Sequence, residues 1–279
     1  MIDETEWRRG EARAILDRAP LGYLAVMTGE GPHLTPQLMS VAAGRLWFVA
    51  SCRSLRVGAI RARPGVAVTA WMPGTGAALM VHGDAHVLDL GRPFELGRTS
   101  LEAVLGAVGL ARYVSQHLVA LTRTFAQGAT GQLASVLERR VLIGVQPDRA
   151  TVVEVPAGAD AVLGWVTAGG PLAVPVVWDE QASTARLSPG GRRLLEASPA
   201  CEAAVTADRS PGHDSPADRS PGVGSSPVGS TGVGWSGVGA ADREGAMFRG
   251  RARLDGDLAV FDVDRVTTWS GDRVETQAV

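Results

Sequence analysis

The chain has 279 residues, of which 45% are hydrophobic, and a formal net charge of −2. That is enough for one large core or two ordinary ones, and it offers no global field for nucleic acid. All 27 basic residues are Arg, because the sequence contains no Lys. No basic start leads into an apolar run, and no uninterrupted apolar stretch approaches the roughly 20 residues of a bilayer-spanning helix, so the expectation is a cytoplasmic chain without leader or membrane segment. Two cysteines, Cys52 and Cys201, are too few for a disulfide framework and read as small buried hydrophobes.

In chain order, "LGYLAVMT" from Leu21 and "GPHLTPQLM" from Gly31 read as paired strands around a turn. On the second, His33, Thr35 and Gln37 alternate with Leu34, Pro36 and Leu38, so the polar trio should share one face. Pro cannot donate to a ladder, which places Pro32 and Pro36 at an edge, a bulge or a break. Next, Ser54 precedes "LRVGAIRA", which Pro64 terminates, so a short helix starts there with Ser54 as N-cap. A Val-rich strand to Trp71 and the strand "LMVHGDAHVLD" follow. Leu101, Val104, Leu105, Val108, Leu118 and Leu121 then recur at helical spacing, marking a helical insert at about 92–128.

The same order of blocks then returns. "LGWVTAGGPLAVPVVW" from Leu163 echoes the first hairpin, with Gly22 matched to Gly164, Pro32 to Pro171 and Pro36 to Pro175. The helix-Pro-strand block recurs at "LLEASPACEAAVTAD", "MFRGRARLDGD" sets Gly250 on Gly83, and "FDVDRVTTWSG" echoes "IGVQPDRATVVEV". A tandem duplication therefore divides the chain into 1–158 and 159–279. The second copy has no helical insert and instead carries a Ser-, Pro- and Gly-rich stretch, about 209–245, whose composition predicts a disordered loop.

At "GEGPHLTPQLM…GRLWFVASCRSLRVGAIRARPGVAVTAW…LMVHGDAHVLD" the chain resembles the pyridoxamine 5′-phosphate oxidase-like, FMN-binding split-barrel family. The likeness covers Leu21 to about Asp89 and extends only faintly into the second copy. It implies a mainly β fold with helices: two tandem split β-barrels of the FMN-binding type, paired as an internal pseudo-dimer that could still pair with a second chain. It also implies FMN as cofactor, with a deazaflavin coenzyme or, less readily, haem as alternatives. Arg56 stands where that family usually has Lys.

The residues point the same way. The first amides of a helix are unpaired donors at a positive dipole end, so a phosphate at Ser54 would meet those amides, the Ser hydroxyl and the Arg53 or Arg56 guanidinium. The trio on the strand would serve the polar edge of a flat ring. The candidate cofactor residues are thus His33, Thr35, Pro36, Gln37, Arg53, Ser54 and Arg56. The alternatives are an ordinary capped helix with a salt-bridging Arg face and a solvent-facing edge strand. In the second copy Leu172, Val174 and Val176 replace the trio, and Pro189 and Gly191 align with Ser54 and Arg56, so that copy should complete an interface rather than bind a phosphate.

His82, Asp84 and His86 would share a strand face, yet residues four apart on a strand sit roughly 13 Å from each other, too far for one ion, and no metal site is expected. His117 on the insert reads as a surface residue. No Ser-His-Asp order, Cys-His pair, P-loop or dinucleotide fingerprint occurs, and no catalytic acid or base can be named. Two functions remain open: a flavin- or deazaflavin-dependent oxidoreductase acting on a small substrate, with His33 contacting substrate or flavin, and a non-catalytic binding protein for a planar ligand. Neither has a nucleic acid or a membrane as partner.

Overall fold

The computed structural model describes residues 10–19, 21–71, 75–89, 100–127, 140–198, 200–208, 244–270 and 273–279. The first half contains α1 (Gly10–Arg18), β1 (Leu21–Thr28), β2 (Gly31–Leu38), β3 (Ser40–Ala42), β4 (Arg45–Ser51), α2 (Leu55–Ala62), β5 (Gly65–Ala70), β6 (Ala77–Asp89), α3 (Ser100–Gln127) and β7 (Arg140–Glu154). The second contains β8 (Ala161–Thr167), β9 (Gly170–Asp179), β10 (Thr184–Arg186), α4 (Pro189–Leu195), β11 (Ala200–Asp208), β12 (Glu244–Asp255), β13 (Leu258–Ser270) and β14 (Arg273–Ala278).

Two seven-stranded antiparallel sheets result, ordered β2-β1-β5-β6-β7-β4-β3 and β10-β9-β8-β11-β12-β13-β14. Each curls into a six-stranded ring. In the first, β2 and β3 are two parts of one run broken at Met39, pairing with β1 at one end and β4 at the other. In the second, β9 stays continuous, and β10 pairs with both β9 and β13, which leaves β14 outside the ring. The chain is therefore a pair of six-stranded split barrels in tandem.

Strand alternation explains why the first-half strands are apolar on both faces. Leu24 and Val26 of β1, with Val66 and Val68 of β5, fill the first barrel. Their neighbours Tyr23, Ala25, Ala67 and Trp71 turn outward and join the core of the second barrel. One face closes a barrel and the other forms the seam, so neither is left for solvent.

The seam has reciprocal hydrogen bonds. Thr69 Oγ1 on β5 donates to the Ala173 carbonyl on β9, and Thr206 Oγ1 on β11 donates to the Leu34 carbonyl on β2 at 2.9 Å. The hairpins match as well. Thr28 Oγ1 donates to Gly31 O at 2.7 Å and accepts from Glu30 N at 3.2 Å, while Thr167 Oγ1 donates to Gly170 O at 2.9 Å and accepts from Gly169 N at 3.2 Å. Gly31 and Gly170 take φ of 101° and 107°, which a side chain would resist.

This register corrects one expected correspondence. Ala25 pairs with Leu34 and Gly164 with Ala173, so Gly164 occupies the place of Ala25, not Gly22. The two turns are equal in length, whereas the match through Gly22 needs a three-residue gap. The anticipated prolines fall where expected: β2 is an edge of its sheet, and Pro171 and Pro175 pair only with β8.

The helical insert is α3, which packs over β3, β4 and β7. A Cβ at Gly109 would lie 2.4 Å from the Trp47 ring, so glycine permits the close approach. His117 is not a surface residue: it is 9% exposed, its Nε2 lies 2.9 Å from the Met39 carbonyl, and it stacks edge-on with Tyr113. The break between β2 and β3 frees that carbonyl, a demand that the helix sequence alone does not reveal. α1, unread in the sequence, packs Ala12 and Leu16 into the first barrel's core. Of the stretch expected to be disordered, 209–243 lies outside the described residues, and Glu244 and Gly245 belong to β12.

Candidate functional site

Two elements of the first barrel bring the expected residues together. On β2, His33 pairs with Val26, Thr35 with Leu24 and Gln37 with Gly22, which puts the polar trio on one face, toward the first barrel. Pro36 pairs with Tyr23 and faces the other way. α2 begins at Ser54, whose backbone is extended (φ −69°, ψ 145°) as an N-cap requires, yet its side chain makes no capping bond. Arg53 is exposed on the preceding turn, its backbone N–H 3.4 Å from Ser51 Oγ, and it does not join the buried group.

The buried polar atoms are the informative feature. Thr35 Oγ1, Gln37 Oε1, Ser54 Oγ and the Nε and Nη1 of Arg56 are buried without a hydrogen-bond partner. Such atoms cost free energy unless something pairs with them, and native interiors carry few of them. Four of the seven expected residues carry such atoms. A hydroxyl, an amide oxygen, a capping hydroxyl and a guanidinium fork form a donor and acceptor set that suits a phosphorylated ligand with a polar ring edge.

The second barrel adds what the sequence reading did not assign. Arg249 on β12 reaches across the seam, and its Nη2 donates to His33 Nδ1. Arg265 Nη1 pairs with Glu30 Oε2, and Arg249 Nη1 lies 3.6 Å from the same oxygen. Burial foremost, then the Arg249 and Arg56 charges, push His33 down to about 3. His33 is therefore neutral, and a Nδ1 that accepts from Arg249 puts its proton on Nε2. Burial lowers Arg56 to about 10 and lowers Arg249 as well, the cost of holding two cations out of water.

The seam buries Arg249. It shares its face of β12 with the exposed Arg251 and Arg253, while Ala246, Phe248 and Ala252 on the other face fill the second core; the β12–β13 register shifts beside it, Asp264 being the extra residue on β13. The first barrel has the same irregularity between His82 and Gly83. The expected His82–Asp84–His86 face is present: Leu79, Val81 and Ala85 fill the first barrel from one side of β6, and on the other His82 is 6% exposed, continuing the row of Ala78 and Met80, while Asp84 and His86 point to solvent. The extra residue at the shift is Asp148 on β7, so the alternation along β6 is kept. The available signal for Arg249 was the Arg-rich "FRGRARLD" standing opposite "VHGDAHVLD".

At the matching helix start in the second barrel, Ser188 rather than Pro189 is the N-cap. Its Oγ accepts from Gly191 N at 3.0 Å and donates to the Glu154 carbonyl at 2.6 Å. Eleven positions separate Ser188 from Pro199 against ten from Ser54 to Pro64, so an alignment on the closing proline slips by one, and the counterpart of Arg56 is Gly190. The cap is present there but fully engaged by its own helix and the end of β7. Leu172, Val174 and Val176 are buried in the core on β9. Only the first barrel leaves its helix start open.

Fold and seam define two barrels with a polar cluster around His33 to which Arg56 of the first and Arg249 of the second contribute. No family model and no curated protein matches the chain. Similar solved structures include a Listeria innocua protein assigned as a pyridoxamine 5′-phosphate oxidase, 16% identical, covering 50% of this chain and 94% of that one with a TM-score of 0.34. An F420 reductase is 18% identical, with 51% and 98% covered and a TM-score of 0.35. A FAD-binding protein from Mesorhizobium loti is 18% identical, with 52% and 94% covered and a TM-score of 0.36. Likenesses at this level carry no functional weight.

Proposed function

We propose that the protein binds one flavin-type cofactor, FMN or a deazaflavin, at the polar cluster of β2, α2 and β12, and acts as an oxidoreductase on a small substrate. The observation that carries this reading is the cluster of unpartnered buried atoms on Thr35, Gln37, Ser54 and Arg56. Ser54, Arg56 and the first-turn amides of α2 would hold the phosphate, and Thr35 and Gln37 the polar ring edge. When bound, the cofactor supplies the hydride chemistry, while the protein supplies binding, orientation and electrostatics. His33, neutral with its proton on Nε2, offers a donor to the ring or substrate without adding charge. Division of the barrels near residue 158, between β7 and β8, belongs to the same proposal.

The test is a titration of the purified chain with FMN and with a deazaflavin, read by calorimetry and absorbance. One equivalent per chain is expected, because only one helix start is open, and Arg56→Ala should weaken binding at least tenfold, about 1.5–3 kcal/mol for a charge-assisted contact. Two equivalents, or no binding of either compound, overturns the reading. A bound cofactor that can be reduced but passes its electrons to no organic acceptor makes the protein a carrier, not an enzyme.

A further inference from the structure

Arg249 is hidden without a full set of acceptors. It is 7% exposed and its Nε has no partner. Nη2 is satisfied by the neutral His33 imidazole. Nη1 stands 3.6 Å from Glu30, beyond hydrogen-bond reach, and that exposed carboxylate is already taken by Arg265. A buried guanidinium whose one ion-pair carboxylate is shared with a second arginine is poorly compensated, which destabilises a fold. The backbone beside it is specialised: a Cβ on Gly250 would lie 1.9 Å from the Asp262 carbonyl oxygen, so the close approach of β13 next to Arg249 depends on glycine.

We propose that Arg249 is an anion subsite for the substrate, its open Nε edge taking a carboxylate or phosphate group of a small molecule seated at the seam. Placement beside a flavin rests on the cofactor reading above; the anion preference does not. Arg56 and Arg249 come from opposite barrels and flank His33, so the two anionic groups have separate holders: the α2 start for the cofactor's phosphate and β12 for the substrate.

Calorimetry with benzoate, neutral benzamide and inorganic phosphate, on the chain alone and after FMN addition, tests the proposal against Arg249→Met and Arg249→Lys. Saturable binding of benzoate or phosphate is expected in the wild type, with none of benzamide. Arg249→Met should weaken anion binding at least tenfold and Arg249→Lys less, while FMN affinity changes under threefold. The melting temperature of ligand-free Arg249→Met should be unchanged or higher, because a buried charge with only a long, shared ion pair is gone; a merely structural arginine would lower it. Absence of anion binding in the wild type, equal anion affinity in Arg249→Met, or a greater loss for FMN than for the anion overturns the proposal. Anion binding that depends on Arg249 in a chain that takes no FMN would sink the cofactor reading and keep the subsite.

Discussion

The two N-cap serines are the sharpest internal comparison, because they hold the same position in the two barrels with opposite engagement. Ser188, 2% exposed, spends its hydroxyl on Gly191 N and the Glu154 carbonyl. Ser188→Ala removes a cap worth about 1 kcal/mol and strands the Glu154 carbonyl, whose desolvation adds about 1–2 kcal/mol. The expected destabilisation is therefore about 2–3 kcal/mol. Ser54 Oγ has no partner in the ligand-free fold, so Ser54→Ala should leave the empty protein within about 0.5 kcal/mol of wild type or raise its stability. With FMN the order reverses: Ser54→Ala weakens binding several-fold and Ser188→Ala leaves it unchanged. Urea unfolding of the cofactor-free chain at constant m-value, paired with FMN titration, reads both. Equal destabilisation by the two substitutions would refute the claim that one helix start is kept open.

Two further outcomes follow from the seam. His33 ordinarily titrates at 6.5 and is held near 3 by burial, Arg249 and Arg56, so its contribution to stability is full above 6.5 and is lost as pH falls toward 3. Between pH 7 and pH 5 that loss is about 2 kcal/mol, and His33→Asn should remove most of it in urea melts at the two pH values; an unchanged difference would mean that the ring is not buried between cations. Thr206→Val removes the bond to the Leu34 carbonyl at a cost of about 1–2 kcal/mol. Thr69→Val should cost a similar amount at the mirrored position, and a double variant near the sum of the two would show that the contacts act independently.

Much of this architecture can be read locally. Alternation along nine residues was enough to put His33, Thr35 and Gln37 on one face, Ser54 followed by a proline-terminated helix marked a helix start, and paired prolines marked strand stretches with one neighbour. Those features depend on the backbone of a few adjacent residues, and the same backbone rules apply in any fold. The decisive parts of the site are not local. Whether Ser54 or Ser188 is free depends on the Glu154 carbonyl arriving at one helix start and not the other. His82 and Arg249 are buried, unlike His86 and Arg251 on the same strand faces, because packing covers one end of each strand and not the other, and His117 is buried because the broken β2–β3 run leaves the Met39 carbonyl for it. Arg249 meets His33 across 216 positions of chain, a contact set by how the second barrel packs against the edge strand β2 of the first. Strand periodicity decides which face a side chain takes; only packing of one barrel against the other decides what stands opposite it.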